Sequence, residues 1–207
     1  SKSCLILSDV HIPYHDPDAL EAACEYASEN KVDTIILNGD FADCHSVSFW
    51  EKDPRDRDFP GERKTVIESL EYLRSMFPKQ KIIWKLGNHE ERYLRYMTVK
   101  APELLGLEVF KFENLFNLNH FKIELVGEKR PILLGDITVI HGHEFYGSGG
   151  GLNPARAYYN KTKTATISAH LHKSSTHLEK NIKGEQIVSH SSGCLCDLHP
   201  DYSPVNG

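Results

Sequence analysis

A chain of 207 residues is long enough to bury a full core and reads as one domain over 1–207. Its composition, 40% apolar and 26% charged with Gly and Pro spread throughout, is that of a soluble globular protein and argues against disorder. A net charge of -5, from 24 Lys+Arg against 29 Asp+Glu with no long block of either sign, disfavours wrapping duplex nucleic acid without a partner. The opening SKSCLILSDVH offers only four apolar residues in a row, too few for a signal peptide or a membrane span, so a cytoplasmic protein is expected. Five cysteines, an odd number, fit reduced thiols better than a disulfide frame. Cys194 and Cys196 are the only close pair, and with no second pair at a suitable distance a metal role for them is not expected.

In chain order, Leu5 to Ser8 is a short buried strand. "DPDALEAACEYASEN" then starts a helix, with Asp16 as N-cap, Pro17 at the first helical position, and Leu20, Ala23, Cys24 and Ala27 on one face. Thr34 to Asn38 is the next strand. After a long polar loop, "ERKTVIESLEYLRSMF" presents Val66, Ile67, Leu70, Leu73 and Phe77 as an apolar stripe and stops at Pro78. Ile82 to Leu86 is the third strand. Strand and helix alternating at this spacing predict right-handed crossovers and parallel pairing, with ligands collecting at the carboxyl ends of the strands. Further on, "HFKIELV", "ITVIH", "TATISAH", "SSTHLEK" and "EQIVSHS" are strand-like and closely spaced, with one helix candidate at Pro154 to Lys161. A second sheet, partly antiparallel, is the economical reading.

Residues of metal-ligand type stand at the strand ends. Asp9 and His11 follow the first strand, Asn38-Gly39-Asp40 ends the second, Gly87-Asn88-His89 ends the third, His141 ends "ITVI", and His170 and His172 follow "TATISA". One such residue alone is usually a cap, a turn or a satisfied buried imidazole. The same placement five times over points to a site. The chemistry that needs it is phosphoryl transfer with two metal ions, because a phosphate ester repels anionic nucleophiles and its leaving oxygen must be stabilised. Two cations about 3.5–4 Å apart meet both needs. Mixed nitrogen and oxygen ligation suits manganese, the first choice here, or iron, zinc, cobalt or nickel, better than calcium.

The ordered set "DVH", "GDFAD", "GNHE", "HGH" and "AHLH", over residues 9 to 172, resembles the signature of the calcineurin-like metallophosphoesterases. The resemblance implies an α/β fold, a four-layer αββα sandwich of two mixed β-sheets flanked by helices, with a dinuclear centre at the strand ends. It implies Asp9, His11, Asp40 and His172 around one cation and Asn88, His141 and His170 around the other, with Asp40 bridging. It also implies a bridging water or hydroxide as nucleophile, His89 as the catalytic histidine facing the leaving-group oxygen, and Asp43 as the carboxylate that orients His89. Glu90 is expected to be structural. Two positions depart from the pattern. Ala169 stands where the family usually has glycine, and Cys44-His45 follow Asp43 where serine/threonine protein phosphatases carry arginine and glycine, which argues against that activity.

Four residues are candidates to touch substrate. Arg92 lies early in the helix after "GNHE". Arg156 follows the "GSGGG" loop, whose glycines, with a helix starting at Asn153-Pro154, suit an anion. His143 neighbours the proposed ligand His141. Trp50, with Phe49, can stack on a nucleobase or cover an apolar leaving group, although pinning a long loop onto the body of the protein is the favoured reading for these rings. The expected function is hydrolysis of phosphate esters, diesters of nucleotide-like or other small size before monoesters. A nuclease on longer DNA is the runner-up enzyme. A non-catalytic scaffold is disfavoured, since all seven expected ligands and His89 are present.

Overall fold

Three short apolar runs build the centre: β1 (Cys4–Leu7), β2 (Thr34–Asn38) and β3 (Lys81–Lys85). They pair parallel, with Leu5 beside Ile35 and Ile35 beside Ile82. The computed structural model, which describes residues 3–50, 55, 57–127, 129–145 and 152–198, shows why β2 has no polar alternation. Ile35 and Leu37 join the main core, whereas Ile36 between them packs with Ile83, Ile132 and Val139 in a second cluster. A strand covered on both faces needs apolar residues at every position.

Helices α1 (Pro17–Glu29) and α2 (Phe59–Met76) cover the first face, burying Leu20, Cys24 and Ala27 from one and Val66, Leu70 and Leu73 from the other. Asp16 caps α1 as expected, accepting from the Ala19 N–H at 3.1 Å. α2 begins earlier than the apolar stripe, because Asp58 accepts from the Gly61 N–H at 2.9 Å and adds a turn ahead of it.

The segment "HFKIELV" was expected in the second sheet; its strand β4 (Ile123–Val126) instead completes the first, parallel to β3 with Ile82 beside Ile123. Between them the chain runs through α3 (Glu91–Lys100), 3₁₀ turns at 102–104 and 108–110, and the short α4 (Phe112–Leu115). Such a crossover returns a strand parallel to its predecessor. Phe116, Leu118 and Phe121 then bury in the same core as Trp84 and hold β4 at that edge. The first sheet is parallel across all four strands, and the mixed pairing lies in the second.

That second sheet has the order β5-β6-β7-β9-β8. It comprises β5 (Ile132–Leu134), β6 (Ile137–Val139), β7 (Ala165–Ser168), β8 (Ser175–Lys180) and β9 (Gln186–Ser191). β5, too short to read from sequence, forms a hairpin with β6; β6, β7 and β9 are parallel and β8 is antiparallel to β9. Helix α5 (Pro154–Thr162) packs on this sheet and buries Ala155 and Tyr158. The result is an α/β sandwich, two sheets face to face with helices outside each. Among the described residues, no helix is long and apolar enough to cross a membrane.

One ion pair fastens the sheets together. Lys85, at the end of β3 and fully buried, donates to Glu144 Oε1 at 2.8 Å and to the Arg130 carbonyl at 2.8 Å. Glu144 also accepts from the backbone N–H groups of His141 and Gly142. Burial alone would raise the Glu144 carboxyl, but the charge and hydrogen bond of Lys85 hold it down at about 2. A depressed carboxyl of this kind stabilises the fold fully above its ordinary value of 4.5, and that contribution is lost as pH falls through about 2. Lys85→Met, which strands the buried carboxylate, is expected to lower the unfolding free energy by about 3–5 kcal/mol, read by urea denaturation at neutral pH. A loss below about 1 kcal/mol would contradict the pairing.

Candidate metal centre

The carboxyl ends of β1, β2, β3, β6 and β7 converge, and the residues that follow them turn sharply. Asp9, His11, Asp40, His170 and His172 all have positive φ, between 51° and 73°. Left-handed backbone at a residue other than glycine costs about 1–3 kcal/mol each and concentrates at functional sites. Gly39 and Gly87 are needed for close approach: a Cβ on the first would collide with the His141 ring, and one on the second with the Asp40 carboxylate.

Two donor sets face each other. In the first, His172 Nε2 lies 3.4 Å from Asp9 Oδ1 and 3.2 Å from His11 Nε2, and His11 Nε2 lies 4.0 Å from Asp9 Oδ1. In the second, His141 Nε2 lies 3.3 Å from Asn88 Oδ1, and Asp40, His141 and His170 offer donor atoms within 4.8 Å of one another. Asp40 Oδ2 stands between the sets, 3.2 Å from His141 Nε2 and 3.9 Å from His11 Nε2. Asp9 Oδ1 and His170 Nδ1 are buried and find no hydrogen-bond partner among the described residues. Orphaned donors inside a ring of carboxylates and imidazoles fit divalent cations, which supply the missing partner.

The far side of each ring decides which nitrogen points inward. His141 Nδ1 donates to the Asn38 carbonyl at 2.9 Å, leaving the Nε2 lone pair for the centre. His11 Nδ1 lies 2.8 Å from Asp43 Oδ1, and His89 Nδ1 lies 2.9 Å from the same oxygen. Asp43 therefore orients a candidate ligand as well as the candidate catalytic histidine, where the sequence pointed only to His89. Glu90, one residue on, is buried; its carboxylate accepts the N–H groups of Asp40 at 3.0 Å, Ala42 at 3.0 Å and Gly87 at 2.7 Å. It ties together the turns after β2 and β3, in keeping with the structural role expected for it.

Burial and charge pull against each other here. Burial opposes protonation of His141, but the charge and hydrogen bond of Asp40 hold its pKa up at about 10. Burial equally opposes ionisation of Asp40, yet His141, His89 and His11 keep its carboxyl well below the usual range. Burial wins at His170, reinforced by the neighbouring His141, and brings it down to about 4. In such a cluster, protons and divalent cations compete for the same lone pairs.

Of the substrate candidates, Arg92 is brought to the site. Its guanidinium donates to His89 Nε2 at 2.8 Å and to the Asp43 carbonyl at 3.0 Å. His143 is also there, its ring centroid 5.3 Å from that of His141 and its Nε2 3.2 Å from Glu91 Oε1, a partner that sequence spacing gave no reason to choose. Trp50 stacks on Phe49 with centroids 4.4 Å apart, and Arg95 of α3 lies 5.0 Å from the Phe49 ring. The two rings are 59% and 65% exposed, and the Arg95 contact is what ties the pair to α3. Arg156 is exposed, and the N-cap Asn153 donates to the Thr176 carbonyl of β8. The glycines of "GSGGG" lie outside the described residues.

The fold and the two facing donor sets define a sandwich of the metallophosphoesterase type. The family model described as calcineurin-like phosphoesterase matches residues 3–195, and the chain belongs to that family. Membership supports metal-dependent hydrolysis of phosphate esters. Two phage proteins are similar in sequence. Gene 54 protein of Mycobacterium phage L5 is 29% identical over 185 residues, 84% of this chain and 70% of that protein. Gene 54 protein of Mycobacterium phage D29 is 28% identical over 185 residues, with the same coverage. Among solved structures, the nuclease MPE of Pseudomonas putida aligns with a TM-score of 0.49 and 13% identity, over 95% of this chain and 76% of its own. Vps29 of Chaetomium thermophilum aligns with 0.42 and 15%, over 94% and 72%.

Proposed function

We propose that the protein is a dinuclear phosphoesterase that prefers diesters of nucleotide-like or other small size. The observation that carries this reading is the placement of Asp40 Oδ2 within 3.9 Å of His11 and 3.2 Å of His141, one carboxylate addressing both donor sets. Asp9, His11, Asp40 and His172 would hold one cation, and Asn88, His141 and His170, again with Asp40, the other. When bound, such a pair supplies water acidic enough to attack phosphorus at neutral pH and offsets the charge of the ester. Manganese fits these nitrogen and oxygen donors, ahead of iron, zinc, cobalt or nickel. Five free thiols accord with a reducing, cytoplasmic setting.

His89 would act on the leaving oxygen, held at Nδ1 by Asp43. Its Nε2 accepts from Arg92, so an incoming phosphate would draw the guanidinium onto itself and free that nitrogen to take a proton from solvent and give it to the leaving oxygen. One guanidinium at the catalytic pair suits the single negative charge of a diester better than the dianion of a monoester. Chelation with EDTA is expected to abolish turnover, and manganese to restore it as about two equivalents per chain return. In the restored enzyme, bis-p-nitrophenyl phosphate and cyclic nucleotides should turn over faster than p-nitrophenyl phosphate. Turnover of the monoester alone would overturn the diester preference, and full activity after chelation would overturn the metal reading.

A further inference from the structure

We propose that Cys194, Cys196 and His172 form a site for one thiophilic divalent cation of the zinc type, on the outer side of His172 and adjoining the carboxylate–imidazole centre through that ring. Sequence spacing argues against a thiolate site because no second cysteine pair follows. The fold supplies the missing ligand from the loop after β7: donor atoms of these three residues all lie within 4.8 Å of one another.

The thiols share one side of the chain for a physical reason. Leu195, between them, packs against the main core. In an extended segment successive side chains alternate, so both neighbours of an inward residue face the other way. The segment is fastened to the loop after β1 by three bonds: the Leu195 N–H donates to the Asp9 carbonyl at 3.0 Å, the Asp16 N–H to the Leu195 carbonyl at 2.9 Å, and the Asp197 N–H to the Tyr14 carbonyl at 2.8 Å. Two sulfurs thus stand on a fixed backbone. Cys196 Sγ lies 3.8 Å from His172 Nδ1. Tetrahedral bonds of about 2.3 Å to sulfur and 2.0–2.1 Å to nitrogen set ligand atoms about 3.5–3.8 Å apart, so a small closure of the cluster suffices. Both thiols are partly exposed, which leaves an entry path and room for water as fourth ligand.

His172 faces inward with its other nitrogen, Nε2, toward Asp9. A ring serving both centres does so as an imidazolate, its proton released to solvent, and the outer cation then fixes the angle of the inner ligand. The proposal needs only the two thiols and one ring nitrogen, so it does not stand or fall with the phosphoesterase reading.

The test uses the full chain, reduced and loaded with manganese, titrated with cadmium. Cadmium on nitrogen and oxygen donors lacks the ultraviolet charge-transfer band that thiolate coordination produces. The wild-type protein is expected to develop that band and saturate it at one cadmium per chain. The double variant C194S/C196S should lose the band and that equivalent while keeping its manganese, and C4S, altered at the opposite end of β1, should retain both. Absence of the band in the wild-type protein, or its persistence in the double variant, would overturn the proposal; the first of these outcomes overturns it even if the variant does not fold.

Discussion

Asp40→Asn is expected to cost the protein both cations at once and to cut turnover by upward of roughly 10³-fold, because nucleophile and charge stabilisation are lost together. The backbone should not object. Asp40 sits at φ 52°, a left-handed conformation that asparagine tolerates as well as aspartate does. Its Oδ1 accepts from the His89 N–H at 2.9 Å, a bond that an amide oxygen can keep. Only Oδ2 changes character, and it is the atom that His11, His89 and His141 face at 3.9, 3.7 and 3.2 Å. An NH₂ group there can neither bridge two cations nor carry the charge that draws them. Elemental analysis of the purified variant is the measurement. Retention of two equivalents would show that Asp40 is not the shared ligand.

His89→Ala should leave metal content intact and lower kcat by roughly 10²- to 10⁴-fold, the range for removal of a positioned acid–base group. The two effects separate because Asp43 does not depend on His89 for its place. It keeps its 2.8 Å bond to His11 Nδ1, so a candidate ligand of the first cation stays oriented when the catalytic ring is gone. Removing the carboxylate is different. Asp43→Asn should disturb both His11 and His89, and a fall in metal affinity alongside turnover would distinguish it from the histidine variant. Parallel metal analysis and steady-state kinetics check both expectations; undiminished turnover in His89→Ala would remove that residue from the reaction.

The candidate site was legible to an unusual degree because its motifs sit at strand ends, where apolar runs stop abruptly and the next residues are Asp, His or Asn. Helix caps at Asp16 and Asn153, the parallel order of the first three strands and the ordered motif set all follow from neighbours close in the chain, and local spacing carries that information. What the tertiary structure decided are contacts between residues far apart. It placed β4 beside β3, put Asp43 between His11 and His89, aimed Glu90 at three backbone N–H groups, seated Arg92 on His89 and paired Lys85 with Glu144 across the two sheets. It also turned Leu195 inward, which leaves two thiols beside His172, and left Trp50 and Phe49 stacked on the surface. The identity of the strand-end residues belongs to the sequence by itself; which lone pair each of them offers, and to whom, is set by hydrogen bonds that exist only once the two sheets have packed.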